Sequence, residues 1–151
     1  MSIDRVPDVS RAFPSLADRV IIVTGAGQGL GRAFAKAFAA AGAIPIIAER
    51  NAERGAAVAA EIASNRARAI PTDVADPDSV ARMAKAVEDE FGRIDVLINN
   101  AANDARHKWD EVTPDYFDGR IAVNLRHMFF AIQAVAPGMI EAGGGSIINM
   151  G

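Results

Sequence analysis

The sequence predicts an α/β fold: a doubly wound parallel sheet, truncated after its fifth strand. Two observations predict it. Short β-branched runs alternate with longer helical patterns four times over, as strands joined by helical crossovers do. The strand runs are also apolar throughout, as strands covered on both faces must be.

Taken in order, Val20 to Thr24 is a first strand of four apolar residues before a threonine. Leu30, Phe34, Ala37, Phe38 and Ala41 then recur on one helical face, which Gly42 stops. Ile44 to Ala48 reads as a second strand, with Pro45 marking its start or a weakly paired stretch. Asn51 caps an alanine-rich helix running to about Ser64, and Arg68 to Thr72 is a short third strand. Asp76 before Pro77 is an N-cap with proline at the first helical position. Val80, Met83, Ala84, Val87 and Phe91 form that helix's apolar face, and Gly92 ends it. Asp95 to Ile98 is a fourth strand, and residues 103–113 are polar and loop-like. Ile121, Leu125, Met128, Ile132, Val135 and Met139 predict a long helix kinked at Pro137. Phe129 and Phe130 widen its apolar face, and Ser146 to Met150 is the fifth strand.

Composition bounds the function. The chain has 151 residues, enough for one domain, expected to span residues 1–151. Lys+Arg 16 against Asp+Glu 19 leaves a net charge of −3, which argues against a nucleic-acid partner. With Cys 0 there is no disulfide and no thiolate metal site, which suits a reducing, cytoplasmic setting. Met1 to Ser15 carries acids and prolines and no apolar core of signal-peptide length. The longest apolar run, Ala37 to Ala48, holds Gly42 and Pro45 and falls short of the ~20 residues that span a bilayer, so no membrane partner is expected. His107 and His127 lie on different elements without clustered acids, so no metal site is expected.

Between the first strand and first helix lies Thr24-Gly25-Ala26-Gly27-Gln28-Gly29-Leu30-Gly31. Glycines there let the backbone turn sharply and approach a phosphate, which the helix N-terminus favours. The strict G-x-G-x-x-G fingerprint is absent, since Leu30 and Arg32 stand where glycine or alanine is needed. The pattern that fits is G-x-x-x-G-x-G through Gly25, Gly29 and Gly31. Glu49, closing the second strand, can accept both ribose hydroxyls of an adenosine and would repel a 2′-phosphate. Arg50 follows at once and could instead grip that phosphate. The balance favours NAD, with NADP possible.

These residues resemble the short-chain dehydrogenase/reductase family. The signs are Thr24-Gly25-x-x-x-Gly29-x-Gly31, Asp73-Val74, Asn99-Asn100-Ala101, Asn124 in Val123-Asn124-Leu125, and the strand Ser146 to Asn149. The resemblance implies a Rossmann-like fold binding NAD(P), with hydride transfer at the C-terminal strand ends. It places Gly25, Gly29 and Leu30 at the pyrophosphate and Glu49 at the adenine ribose. Asp73 and Val74 would flank the adenine; Asn100 and Ala101 would line the nicotinamide side. Ala102 stands where the family usually has glycine, which tightens the backbone's approach to the cofactor. Asn124 matches the asparagine of the proton relay.

The family also needs a serine and Tyr-x-x-x-Lys, the lysine lowering the tyrosine pKa. The sole tyrosine, Tyr116, is followed at the fourth position by Arg120, and Ser146 opens its strand. The resemblance therefore implies the N-terminal part of such an enzyme, inactive and poorly soluble alone. Residues 99–151 are similar to bacterial NAD-dependent sugar dehydrogenases. Asn103, Asp104, Arg106 and His107 would then meet the hydroxyls of an alcohol or sugar substrate, in a parent that is a homo-oligomer. Two other readings stand beside this one. A non-catalytic nucleotide-binding module needs no tyrosine or lysine. Gly25-x-Gly27-x-Gly29 with a following acid also resembles S-adenosylmethionine methyltransferases, although Val23 occupies the place of their usual acid.

Overall fold

A computed structural model describes residues 13–62 and 66–151. The N-terminal stretch that reads as lacking a signal core lies largely outside these residues, as does Ser64, the expected end of the second helix. Five strands form one parallel sheet: β1 (Val20–Thr24), β2 (Ile44–Glu49), β3 (Arg68–Pro71), β4 (Val96–Asn99) and β5 (Ser146–Asn149), in the order β3-β2-β1-β4-β5. Reversal of direction beside β1 opens a crevice at the C-terminal strand ends, where such sheets take ligands.

Helices cover both faces, because alternate residues of each buried strand point to opposite sides. Val20, Ile22, Ile44, Ile46 and Leu97 pack with Val80, Met83 and Val87 of α3 (Pro77–Phe91) and with Ala131, Val135 and Met139 of α5 (His127–Glu141). Ile21, Val23, Ile47 and Ile98 pack with Ala35 of α1 (Gly29–Ala40) and Val58 of α2 (Ala52–Glu61). The caps read from sequence form: Asn51 accepts the Arg54 N–H at 2.9 Å and Asp76 the Asp78 N–H at 3.0 Å.

Pro45 is the second residue of β2, buried opposite Ile21. The Ile44 N–H donates to the Arg19 carbonyl on the β1 side, so alternation turns position 45 toward β3. Pairing with β3 begins one residue later, at Ile46. The missing proline donor therefore breaks no ladder bond.

The long helix differs most from expectation. A separate helix, α4 (Pro114–Ile121), starts at Thr113, whose hydroxyl caps the Tyr116 N–H at 3.2 Å. A π-turn over Ala122–Arg126 then joins α4 to α5. Ala122 and His127 are both buried although five residues apart, and burial continues through Ala131, Val135 and Met139. The extra residue rotates the expected face, so Ile121 and Leu125 turn outward, Leu125 being 60% exposed. Phe129 is also exposed. The helix runs through Pro137 without a break; its irregularity lies at the π-turn.

At the opposite end of the sheet, Asp95 immediately precedes β4. Its Oδ2 accepts the Val20 N–H at 2.9 Å, and Oδ1 accepts from Arg19 at 2.7 Å and from Arg93. Burial pushes this carboxyl's pKa up, but the Val20 N–H and the two guanidiniums outweigh it and hold it below the usual value. A depressed folded-state pKa adds stability above the unfolded carboxyl's pKa, and this is lost as pH falls through the folded value. Asp95→Ala should cost about 2 kcal/mol near pH 7. Urea melts across the acid range should show a shallower loss of stability below about pH 4 in the variant than in the parent chain.

Candidate functional site

The glycine turn is sewn to the segment after β4 by the side chains of Thr24 and Asn100. The buried Thr24 hydroxyl donates to the Ile98 carbonyl at 3.3 Å and accepts the Asn100 and Ala101 N–H groups, each at 3.0 Å. Asn100 Nδ2 returns a bond to the Thr24 carbonyl at 2.9 Å. This packing explains two glycines. Gly25 has φ +65°, and a Cβ there would lie 2.8 Å from Ala101 Cα. A Cβ on Gly31 would lie 2.5 Å from the Gly25 carbonyl oxygen and 2.6 Å from Asn100 Nδ2.

The turn presents open space where the helix begins. A Cβ at Gly29 would meet nothing within 4 Å, and Leu30 is exposed beside it. Gln28, the N-cap of α1, provides no side-chain cap. The first-turn amides therefore keep donors for an anionic group, whose charge the helix N-terminus favours.

Glu49 lies across from this turn. Its Oε2 accepts the Gly27 N–H and its Oε1 the Asn51 N–H, both at 3.0 Å. A Cβ at position 27 would come within 2.7 Å of the Glu49 side chain, so the third glycine makes room for the carboxylate. Arg50 is exposed, while Arg54 donates to Gln28 Oε1 at 3.1 Å. Beyond β3, Asp73 Oδ1 accepts the Ala75 N–H at 2.9 Å and Val74 is buried.

The segment after β4 is braced by α4 and the π-turn. Asn124 Oδ1 accepts the Asn103 N–H at 2.7 Å, and its Nδ2 donates to the Asn103 carbonyl at 3.0 Å. Arg120 donates to that carbonyl at 3.0 Å and lies 4.6 Å from the Tyr116 ring centroid. The Tyr116 hydroxyl donates to the Ala105 carbonyl at 3.0 Å, and its ring lies against His107, centroids 4.2 Å apart and planes tilted by 46°. Asn103, Asp104, Arg106 and His107 are exposed, as is Ala102.

The structure thus brings Thr24, Gly25, Gly31, Asn100 and Ala101 together, and separately Asn103 with Asn124. Tyr116, Arg120, Gln28 and Arg54 were not among the expected site residues. A signal for the first two exists: Tyr116, Arg120 and Asn124 recur at spacing four behind the Thr113-Pro114 start. Among the described residues no group of acids and histidines could hold a metal ion, and no helix is long and apolar enough to cross a membrane.

Known proteins resemble this chain in sequence and fold. A family model described as short chain dehydrogenase matches residues 19–151. D-xylose 1-dehydrogenase of Caulobacter vibrioides is 43% identical over 143 residues, covering 94% of this chain and 56% of that protein. A metagenomic short-chain oxidoreductase solved in complex with NADP superposes with a TM-score of 0.84 at 36% identity, over 89% of this chain and 62% of that one. The 3-ketoacyl-(acyl-carrier-protein) reductase of Brucella melitensis, complexed with NADH, does so with a TM-score of 0.83 at 30% identity, over 89% and 57%. The chain spans little more than half the length of the curated relatives it matches.

The crowding at Gly31 makes a direct test. Gly31→Ala should force the Asn100 side chain off the turn and lower the thermal midpoint by about 5 °C. Differential scanning calorimetry measures this; an unchanged midpoint would mean the neighbours yield without cost.

Proposed function

This chain belongs to the short-chain dehydrogenase family, and from that premise we propose that it is the cofactor-binding part of an NAD-preferring dehydrogenase that oxidises an aldose at its anomeric carbon to the lactone. The observation that carries the cofactor preference is the anchored Glu49 carboxylate. A carboxylate has about four acceptor sites, and two are taken by the Gly27 and Asn51 amides. The remaining pair suits two vicinal ribose hydroxyls, while a 2′-phosphate would meet a fixed negative charge.

In this reading the nicotinamide supplies the hydride chemistry, and the chain's own residues bind and orient. Gly25, Gly29, Leu30 and Gly31 receive the pyrophosphate on the first turn of α1, and Thr24 holds that turn in place. Asp73 and Val74 flank the adenine, and Asn100, Ala101 and Ala102 line the nicotinamide side. Asn124 takes part in proton relay while bracing Asn103. Asp104, Arg106 and His107, with Asn103, offer polar groups to the sugar hydroxyls. The 43% identity to D-xylose 1-dehydrogenase supports an aldose. A methyltransferase reading leaves Asn99-Asn100 without a role, and the family disfavours it.

No Tyr-x-x-x-Lys occurs in these 151 residues. The chain by itself is therefore proposed to bind dinucleotide without turnover, and the intact protein to act in the cytoplasm as a homo-oligomer.

Calorimetric titration with both dinucleotides tests the preference. NAD should bind at least tenfold tighter than NADP, and Glu49→Ala should narrow the ratio to within about threefold. Tighter NADP binding by the unaltered chain would transfer recognition to Arg50. For the substrate, cofactor reduction by the intact protein should be fastest with pentoses or hexoses; turnover confined to steroids or simple alcohols would overturn the aldose reading.

A further inference from the structure

The turn after β3 is fixed by contacts of two kinds. Three are local: Asp73 Oδ1 accepts the Ala75 N–H at 2.9 Å, Ser79 Oγ accepts the Asp73 N–H at 3.0 Å, and the Asp73 carbonyl accepts the Asp76 N–H at 3.1 Å. The fourth arrives from 51 residues away, where Arg126 donates from its guanidinium to the Ala75 carbonyl at 3.2 Å. That carbonyl lies outside the helical ladder of α3, whose Val80 N–H reaches back to Asp76. Arg126 supplies it with a donor.

The π-turn makes this reach possible. Residues two apart on a regular α-helix do not share a face. Here Asn124 and Arg126, both within Ala122–Arg126, each reach a loop at the C-terminal strand ends: Asn103 after β4 and Ala75 after β3. Ala122 and His127, flanking them, stay buried. The one irregular turn between α4 and α5 therefore grips both loops while keeping its apolar contacts with the core.

We propose that Arg126 is a positioning residue for the adenosine half of the dinucleotide, holding the Asp73–Ala75 turn in the shape the adenine meets. This rests on the reading that Asp73 and Val74 flank the adenine. A turn already ordered before the ligand arrives loses less freedom on binding, so Arg126 acts through affinity without touching the ligand. Its single hydrogen bond to a neutral carbonyl sets the scale at a several-fold effect.

The probe is ADP-ribose, which carries the adenosine and pyrophosphate without nicotinamide, titrated calorimetrically into the whole chain. Arg126→Ala should weaken binding about fivefold with the thermal midpoint within about one degree of the parent. Arg126→Lys, which keeps a donor, should recover at least half of that loss. Unchanged affinity in Arg126→Ala, or a lysine variant as weak as the alanine one, overturns the proposal. So does a midpoint that falls in step with affinity, which would mark a general structural role. Asp73→Ala separates the two layers. If it weakens ADP-ribose while Arg126→Ala does not, the inference alone fails. If neither changes binding, or the parent chain does not bind ADP-ribose, the adenine placement fails and takes the inference with it.

Discussion

The glycine-turn end of this sheet depends on the hydroxyl of Thr24. It is the last residue of β1, fully within the sheet, and its backbone already serves the ladder to β2. Its side chain reaches sideways to the end of β4, giving one bond to Ile98 and receiving two from Asn100 and Ala101. Those three bonds bring the glycine turn and the post-β4 segment close enough that a side chain at position 25 or 31 would collide with the opposite wall. The glycines follow from the threonine as much as from any ligand. Valine has the same shape but no hydroxyl, and would leave the half-buried Ala101 N–H without its acceptor and the Asn100 N–H with the Ile98 carbonyl alone, a loss of about 1–3 kcal/mol.

Two carboxylates show how the ends of the sheet divide their tasks. Asp95, at the N-terminal ends, accepts one backbone amide and two guanidiniums, so its charge is matched on the spot. Glu49, at the C-terminal ends, accepts two backbone amides and makes no ion pair among the described contacts. Amide dipoles fix its position without neutralising its charge. A matched charge serves folding, whereas one held in place with acceptor sites to spare can discriminate between ligands.

Local chemistry made much of this legible. The β-branched runs, the Asn51 and Asp76 caps, and the glycine turn each encode their structure within a few residues, and their alternation implies a parallel sheet with right-handed crossovers. The Glu49 side chain was legible for the same reason, since the end of the second strand must lie beside the first glycine turn. The long helix was not. Periodicity assumes a constant 3.6 residues per turn, and one inserted residue at Ala122–Arg126 shifts every position before it relative to those after. Leu125 fits the apolar pattern projected back from Val135 and Met139, yet it is exposed. The same break hid the bracing of Asn103, because Arg120 and Asn124 look like an ordinary polar stripe until the loop they hold is in place.

The π-turn also shapes the outer surface of the helices around it. Among the described residues β5 pairs with β4, and Ile148 and Met150 stand exposed at and just beyond it. Phe117, Ile121, Leu125 and Phe129 lie along the outward side of α4, the π-turn and α5. A regular helix would have turned Asn124 to the side of Ala131 and Val135. The π-turn instead lets Asn124 and Arg126 reach the two loops. Each exposed leucine or phenylalanine forgoes about 1.5–3 kcal/mol relative to full burial. A surface with several such side chains favours association over solvent. The turn that grips the two loops thus borders a run of exposed apolar side chains on α4 and α5.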